Sequence, residues 1–360
     1  MSKPVFLDWA STSPIVKYPC SNYGPFMNVN ANYAYKEKKL LKECEDRVKK
    51  AIGAKSGKVI FGGTSSQLIE NLFTHIYDET NEYLTICSVY EHDAMWRFAD
   101  QWGNIDSLKH VIQTYHGDKQ LIVCLMGVNN LTGEIMPIEE IGSLCRKHGA
   151  FCICDMTAMI GKAPISDNID QWCDCAVWSS HKLGTELGIG AMWISDRLDK
   201  RLNGFKLHGT PNLAGALAMA QAVEDACDSH KLGQNMIHYG ELLDHMIDGL
   251  IEKDIDFQLI PEYEDNEPSN KFALAINAIR LPGFNADVLQ QFLASKQVYV
   301  SIGGSACAEK HDYRVLENGY NLTKQEASEV IRVSFSVDSS VEDVEALIEG
   351  IKEFQNTYVK

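Results

Sequence analysis

Between residues 58 and 195 the chain alternates short apolar runs with helical patterns, and this alternation restricts the fold more than any other feature. The runs at 58–61, 83–87, 121–126, 151–155, 175–178 and 191–194 are four to six residues long. Nearly continuous apolar runs of that length read as strands covered on both faces. Helical spacing falls before and between them: Leu40, Leu41, Cys44, Val48, Ala51 and Ile52 share one stripe, and 138–147 forms another. Strand–helix–strand alternation calls for an α/β fold with a doubly wound, mostly parallel sheet. No period of roughly 20–50 residues recurs, so the chain is not a repeat array.

Beyond residue 212 the pattern changes. A continuous helical stretch is expected over 212–251, resembling a connector between two domains. After it come a strand at 271–280, a helix at 286–296, strands at 298–301 and 329–335, and a closing helix. Val341, Val344, Leu347, Ile348, Ile351 and Phe354 form the apolar face of that helix. The expectation is a large domain over 15–250 and a small C-terminal α+β domain built from 1–14 and 251–360.

Charge and cysteine usage narrow the function classes. With 33 Lys+Arg against 49 Asp+Glu the net charge is −16, which argues against direct nucleic-acid binding. No apolar run approaches the roughly 18 residues of a membrane span. The chain opens Met1-Ser2-Lys3-Pro4 without the pattern of a secretory signal; a cytoplasmic protein is expected. Eleven cysteines occur without a Cys-x-x-Cys pair, so neither a metal site nor a thioredoxin-type motif is expected. Those at 152, 154, 173 and 175 sit in or beside apolar strands, where a thiol behaves as a small hydrophobe.

In open α/β sheets ligands gather beyond the carboxyl ends of the strands. The 151–155 run ends on Asp155. The 175–178 run delivers Ser179, His181 and Lys182 into a Gly-rich turn. A lone lysine there is ordinary loop chemistry; with Asp155, Ser179 and His181 beside it, a site is expected. A buried acid for a ring nitrogen, and an amine that can bond a carbonyl carbon, are what pyridoxal 5'-phosphate (PLP) asks of a protein. The 58–61 strand runs into Gly62, Gly63 and Thr64 and then a helix, an arrangement that holds phosphate on backbone N–H groups. It lacks the Gly-Lys-Ser/Thr of a Walker loop, and alone it reads equally as a turn.

Together these strand ends resemble the fold-type I, class V PLP enzymes, and within them the NifS/IscS-like group I cysteine desulfurases. Phe61-Gly62-Gly63-Thr64 is similar to that family's phosphate loop, and Glu91-His92 to the pair whose imidazole stacks on the cofactor. Asn129-Asn130 resembles the segment that places Asn130 near the ring hydroxyl and the substrate. The stretch from Asp155 to Lys162 is similar to the one supplying the pyridinium partner. Ser179-Ser180-His181-Lys182 resembles Ser-Gly-His-Lys, with the cofactor lysine last. Gly209-Thr210 is similar to a Gly-Thr that reaches the phosphate of a neighbouring subunit, which implies a homodimer. Gly304-Ser305-Ala306-Cys307 resembles the mobile catalytic loop, and Ile331-Arg332-Val333-Ser334 the strand that holds the substrate carboxylate. In two places the chain departs from the family. Ala158 stands where Gln is usual, and the 193–210 segment is shorter than in relatives.

The resemblance implies PLP held by Gly63, Thr64, His92, Asn130, Asp155, Ser179, His181, Lys182 and Thr210. Lys182, His92 and Cys307 are the expected catalytic residues, and Arg332 offers a fork for a carboxylate. Lys182 must lose its proton to act, which burial and a nearby cation favour. Cys307 is expected to take sulfur from L-cysteine as a persulfide, leaving alanine, for a sulfur-acceptor protein or tRNA-modifying enzyme. Iron–sulfur cluster assembly and tRNA thiolation are the expected uses of that sulfur. Two other readings are a PLP-dependent C–S or C–Se lyase or aminotransferase without persulfide chemistry, and a PLP-binding partner protein without activity.

Overall fold

The structure is a computed structural model and describes residues 4–79, 82–262, 271–304 and 312–358. Its strands, in chain order, are β1 (Val5–Phe6), β2 (Lys58–Gly62), β3 (Tyr83–Ser88), β4 (Gln101–Gly103), β5 (Gln120–Met126), β6 (Phe151–Asp155), β7 (Cys175–Ser179), β8 (Gly190–Ile194), β9 (Gln258–Ile260), β10 (Ile276–Arg280), β11 (Val298–Tyr299), β12 (Ser301–Ile302) and β13 (Val330–Ser334). The chain divides into two compact units. One comprises Ser13–Val128 and Met136–Leu232; the other comprises Met1–Thr12, Asn129–Ile135 and Gly233–Lys360.

The first unit is built on a seven-stranded sheet in the order β2-β8-β7-β6-β5-β3-β4. All its strands run parallel except β8, which is antiparallel to both β2 and β7. The reason is the length of the connection. Only residues 180–189 separate β7 from β8, and a parallel crossover needs about a dozen residues or more. Every residue of β6, β7 and β8 is buried. On one face the helix Ser65–Glu79 lays Leu68, Ile69, Leu72, Phe73 and Ile76 against Ile122, Ile153, Cys175, Val177 and Met192. Elsewhere in this unit, Arg47 of the helix Tyr35–Ala51 reaches Glu224 of the helix Leu213–Ala226 at 2.6 Å.

In the second unit an antiparallel sheet runs β12-β13-β10-β9, and β1 pairs in parallel with β11. Helices Ala286–Ser295 and Val341–Tyr358 complete it, with Phe284 and Phe292 meeting Phe354 at ring-centroid distances of 5.6 and 5.4 Å. The segment Asn129–Ile135 belongs here: Glu134 bridges Phe272, and Ile135 N–H donates to the Lys271 carbonyl at 2.8 Å.

Three expected elements differ. The stretch over 212–251 is two helices, Leu213–Ala226 and Ser229–Glu252. Asp228 breaks it, because its carboxylate accepts the Lys231 N–H at 2.9 Å as an N-cap does. The strand expected over 271–280 begins only at Ile276, since Ile276 N–H turns back to the Ala273 carbonyl. The strand expected at 298–301 splits into β11 and β12, which serve different sheets; the Val300 carbonyl between them is taken by Gln290 at 2.9 Å. No described helix is long and apolar enough to cross a membrane.

Candidate active site

Eight of the expected site residues lie in the first unit, most of them at the carboxyl rim of its sheet. Asp155 ends β6 and is 7% exposed, and its Oδ1 accepts the Thr157 N–H at 2.8 Å. Ser179 ends the adjacent β7 and is buried. Its hydroxyl accepts the Ser65 N–H at 3.0 Å and donates to Ser65 Oγ at 2.8 Å. This ties β7 to the first turn of the helix that follows β2. Thr64 caps that helix by accepting the Gln67 N–H at 3.1 Å. A Cβ on Gly190 would lie 2.7 Å from the Thr64 carbonyl carbon, so only glycine lets the loop approach β8. The phosphate-type loop is therefore joined to the strand that leads into Lys182.

The half-buried His181 and Lys182 stand in a short 3₁₀ turn, His181–Leu183, that Gly184 closes in the left-handed region at φ 86°. Ser180 pins this turn by hydrogen-bonding Thr185 Oγ1 and the Ile189 carbonyl. Burial, then the Lys182 and Lys162 ammonium groups, lower the His181 pKa from 6.5 to about 4, so its ring is neutral at pH 7. Lys162 itself is 6% exposed; burial and the Lys182 charge pull it from 10.5 to about 8. Lys162 has no role among the sequence expectations, although a lysine seven residues beyond a strand-end acid is a visible signal.

His92 follows β3, exposed, and its Nδ1 accepts the Ala94 N–H at 3.2 Å. The preceding Glu91 is 1% exposed and joins two strand ends, with Oε1 accepting from Ser88 Oγ at 2.6 Å and Met126 N–H at 2.7 Å. Thr210 is exposed on a loop that, with Gly62, Gly63, Gln67 and His208, lines a cleft of about 690 Å³.

Asn130 and Arg332 lie in the second unit. Arg332 is 6% exposed on β13. Its Nη1 donates to the Asn130 carbonyl at 2.9 Å, and its Nη2 to Asp8 Oδ1 at 2.6 Å and Ser301 Oγ at 3.1 Å. Its buried Nε has no hydrogen-bond partner among the described residues. Asn129 shapes the turn that contains Asn130, with its amide oxygen accepting the Leu131 and Thr132 N–H groups at 2.9 and 3.0 Å. Gly133 completes that turn at φ 77°, where a Cβ would lie 2.2 Å from the Ile276 carbonyl oxygen. Cys307 lies outside the described residues.

An acid and an amine on neighbouring strand ends, beside a capped helix N-terminus, make this a fold-type I α/β protein. Solved structures share the fold. A NifS-like protein superposes with a TM-score of 0.81 at 18% identity, covering 98% of this chain and 100% of that one. The NifS-like protein of Rickettsia africae gives the same score and identity, covering 99% and 100%. The class-V aminotransferase family model matches residues 5–347, and the chain belongs to that family. It is similar to cysteine desulfurase IscS of Dictyoglomus turgidum, 23% identical over 378 residues covering 96% of this chain and 92% of that protein. It is also similar to cysteine desulfurase IscS of Rickettsia typhi, 25% identical over 345 residues covering 85% and 80%. A probable mitochondrial cysteine desulfurase of Dictyostelium discoideum is 25% identical over 338 residues, covering 85% and 71%.

Proposed function

We propose that the protein is a PLP-dependent cysteine desulfurase. The observation that carries this reading is the buried Asp155 carboxylate one strand from the Lys182 turn, with Ser179 and Ser65 hydroxyls at a helix N-terminus beside it. These residues fit PLP. Asp155 would face the pyridine nitrogen, Lys182 would bond the aldehyde carbon, and Gly63, Thr64, Ser179 and His181 would hold the phosphate. A buried threonine hydroxyl two residues beyond Asp155 has no hydrogen-bond partner among the described residues, as expected where a ligand supplies one. When bound, the cofactor supplies an electron sink for carbanion chemistry at the substrate Cα.

The chain's own groups do the rest. The N–H groups of the Ser65–Glu79 helix and its dipole favour a dianion. Asp155, buried at the end of β6, would pair with the ring nitrogen. Lys182 would move the Cα proton as a general base. His92 would stack on the ring, and Asn130 would stand near its hydroxyl. The buried Arg332 guanidinium would take the substrate carboxylate. Cys307, as thiolate, attacks the substrate sulfur: a new S–S bond forms, the C–S bond breaks with its electron pair left on carbon, and that carbon gains a proton. L-Cysteine plus one thiol thus gives L-alanine plus one persulfide. A homodimer, with Thr210 reaching the neighbouring phosphate, completes the reading. So do transfer of the persulfide sulfur to an acceptor protein or tRNA-modifying enzyme, and residence in a reducing compartment such as the cytoplasm.

The test is to incubate purified protein with cysteine and reductant while measuring alanine and sulfide together. Equal release, abolished by Cys307→Ala and by Lys182→Ala, is expected. Alanine release at full rate in Cys307→Ala would replace this reading with a lyase, and no turnover of any amino acid would leave only PLP binding.

A further inference from the structure

The turn after β6 holds the buried threonine hydroxyl whose partner the PLP reading leaves unassigned. Thr157 is 9% exposed, and its Oγ1 is buried without a hydrogen-bond partner among the described residues. Its main chain is engaged, donating to Asp155 Oδ1 at 2.8 Å, so the residue is tied to the carboxylate of the site. Leaving a buried hydroxyl unmet forfeits its hydration for no return, and native folds rarely do so unless a water, ion or ligand completes the bond. The rest of the turn offers no polar side chain: Met156, Ala158, Met159 and Ile160 are all apolar and buried. A threonine among four apolar neighbours is therefore not filling space that a valine could not fill. Ala158, next in the chain, brings only a methyl group.

We propose that the Thr157 hydroxyl is a ligand of the cofactor, donating a hydrogen bond to an oxygen of its ring, since its neighbour Ala158 has no polar group to offer. The inference rests on the PLP reading above. It gives Thr157 two opposed effects. In the apoprotein the hydroxyl, without a partner among the described residues, weakens the fold; in the holoprotein it strengthens the grip on PLP.

The experiment compares Thr157→Val and Thr157→Ser with the parent protein. Valine keeps the shape and removes the hydroxyl; serine keeps the hydroxyl. Apoprotein melting is followed calorimetrically, and PLP is titrated into apoprotein while its bound absorbance band is recorded. Thr157→Val is expected to melt a few degrees higher as apoprotein, to bind PLP about tenfold more weakly, and to show a displaced absorbance maximum. Thr157→Ser is expected to stay within about twofold of the parent in PLP affinity, with an unchanged maximum. A valine variant that binds PLP as tightly as the parent, with the same spectrum, overturns the inference while leaving the PLP reading intact. So does an apoprotein destabilised by valine, since the hydroxyl would then have a partner within the fold. Failure of the parent protein to take up PLP overturns both.

Discussion

Replacing Lys162 by methionine removes a charge that the fold buries at a cost. Lys162 is 6% exposed, and the causes of its lowered pKa are burial and the like charge of Lys182, with no carboxylate among them. A fall from 10.5 to about 8, at about 1.36 kcal/mol per pH unit, amounts to about 3 kcal/mol of instability at neutral pH. The unfolded chain holds this proton more tightly than the folded one. The deficit is therefore complete below about pH 8, and it disappears as pH rises to about 10.5 and both states lose the proton. Methionine has a similar length and no charge, and apolar swaps of similar volume cost less than about 1.5 kcal/mol. Lys162→Met is expected to gain about 2 kcal/mol at pH 7 and to lose that advantage by pH 10.5. Urea unfolding of both apoproteins at the two pH values measures the difference, and comparing variant with parent cancels the other lysines and tyrosines. A variant less stable than the parent at pH 7, or a gain that persists undiminished at pH 10.5, would refute the reasoning.

Three other outcomes follow from the same structure. The His181 pKa is lowered to about 4, so acid protonates the unfolded chain first. The apoprotein should lose stability between pH 6.5 and 4, and His181→Asn should flatten that slope in melting curves recorded across the range; parallel slopes would count against it. Burial raises the Cys44 thiol to about 11 and Cys20 and Cys227 to about 12, and holds Cys124, Cys154, Cys173 and Cys175 well above 9; the hydrogen bond with Cys145, and then burial, do the same for Cys152. Brief alkylation of the native protein near pH 7.5 should then mark Cys307 alone, as read by peptide mass mapping, and a second rapidly labelled cysteine would contradict it. Asp8→Asn leaves the buried Arg332 guanidinium without the carboxylate held at 2.6 Å. It should cost about 3 kcal/mol or more in urea unfolding, and a loss below about 1 kcal/mol would show the pair to be dispensable.

Strands β3 and β5 to β8 of the large sheet were readable because each is a local run whose burial leaves a nearly continuous apolar signature. Phe151–Asp155 was placed to the residue, and Cys175–Ser179 to within one. Gly-rich and hydroxyl-bearing strand ends were equally visible, since a turn or helix cap leaves its residue types in sequence. β4 and β9 escaped notice, being only three residues long. The break at Asp228 was hidden because the apolar face continues on either side of it.

From sequence alone came the class of fold and the chemical identity of the rim: Asp155, Ser179, His181 and Lys182 at the ends of adjacent strands, written as local patterns of period and turn. Partnership was settled only by the folded chain. It decided that β8 runs against its neighbours, that residues 129–135 pack with the C-terminal unit, that Asp8 meets Arg332 across 324 positions of sequence, and that the Thr157 hydroxyl is buried without a hydrogen-bond partner among the described residues. Local periodicity records which face of an element is buried, whereas the groups that meet there depend on contacts between segments far apart in the chain.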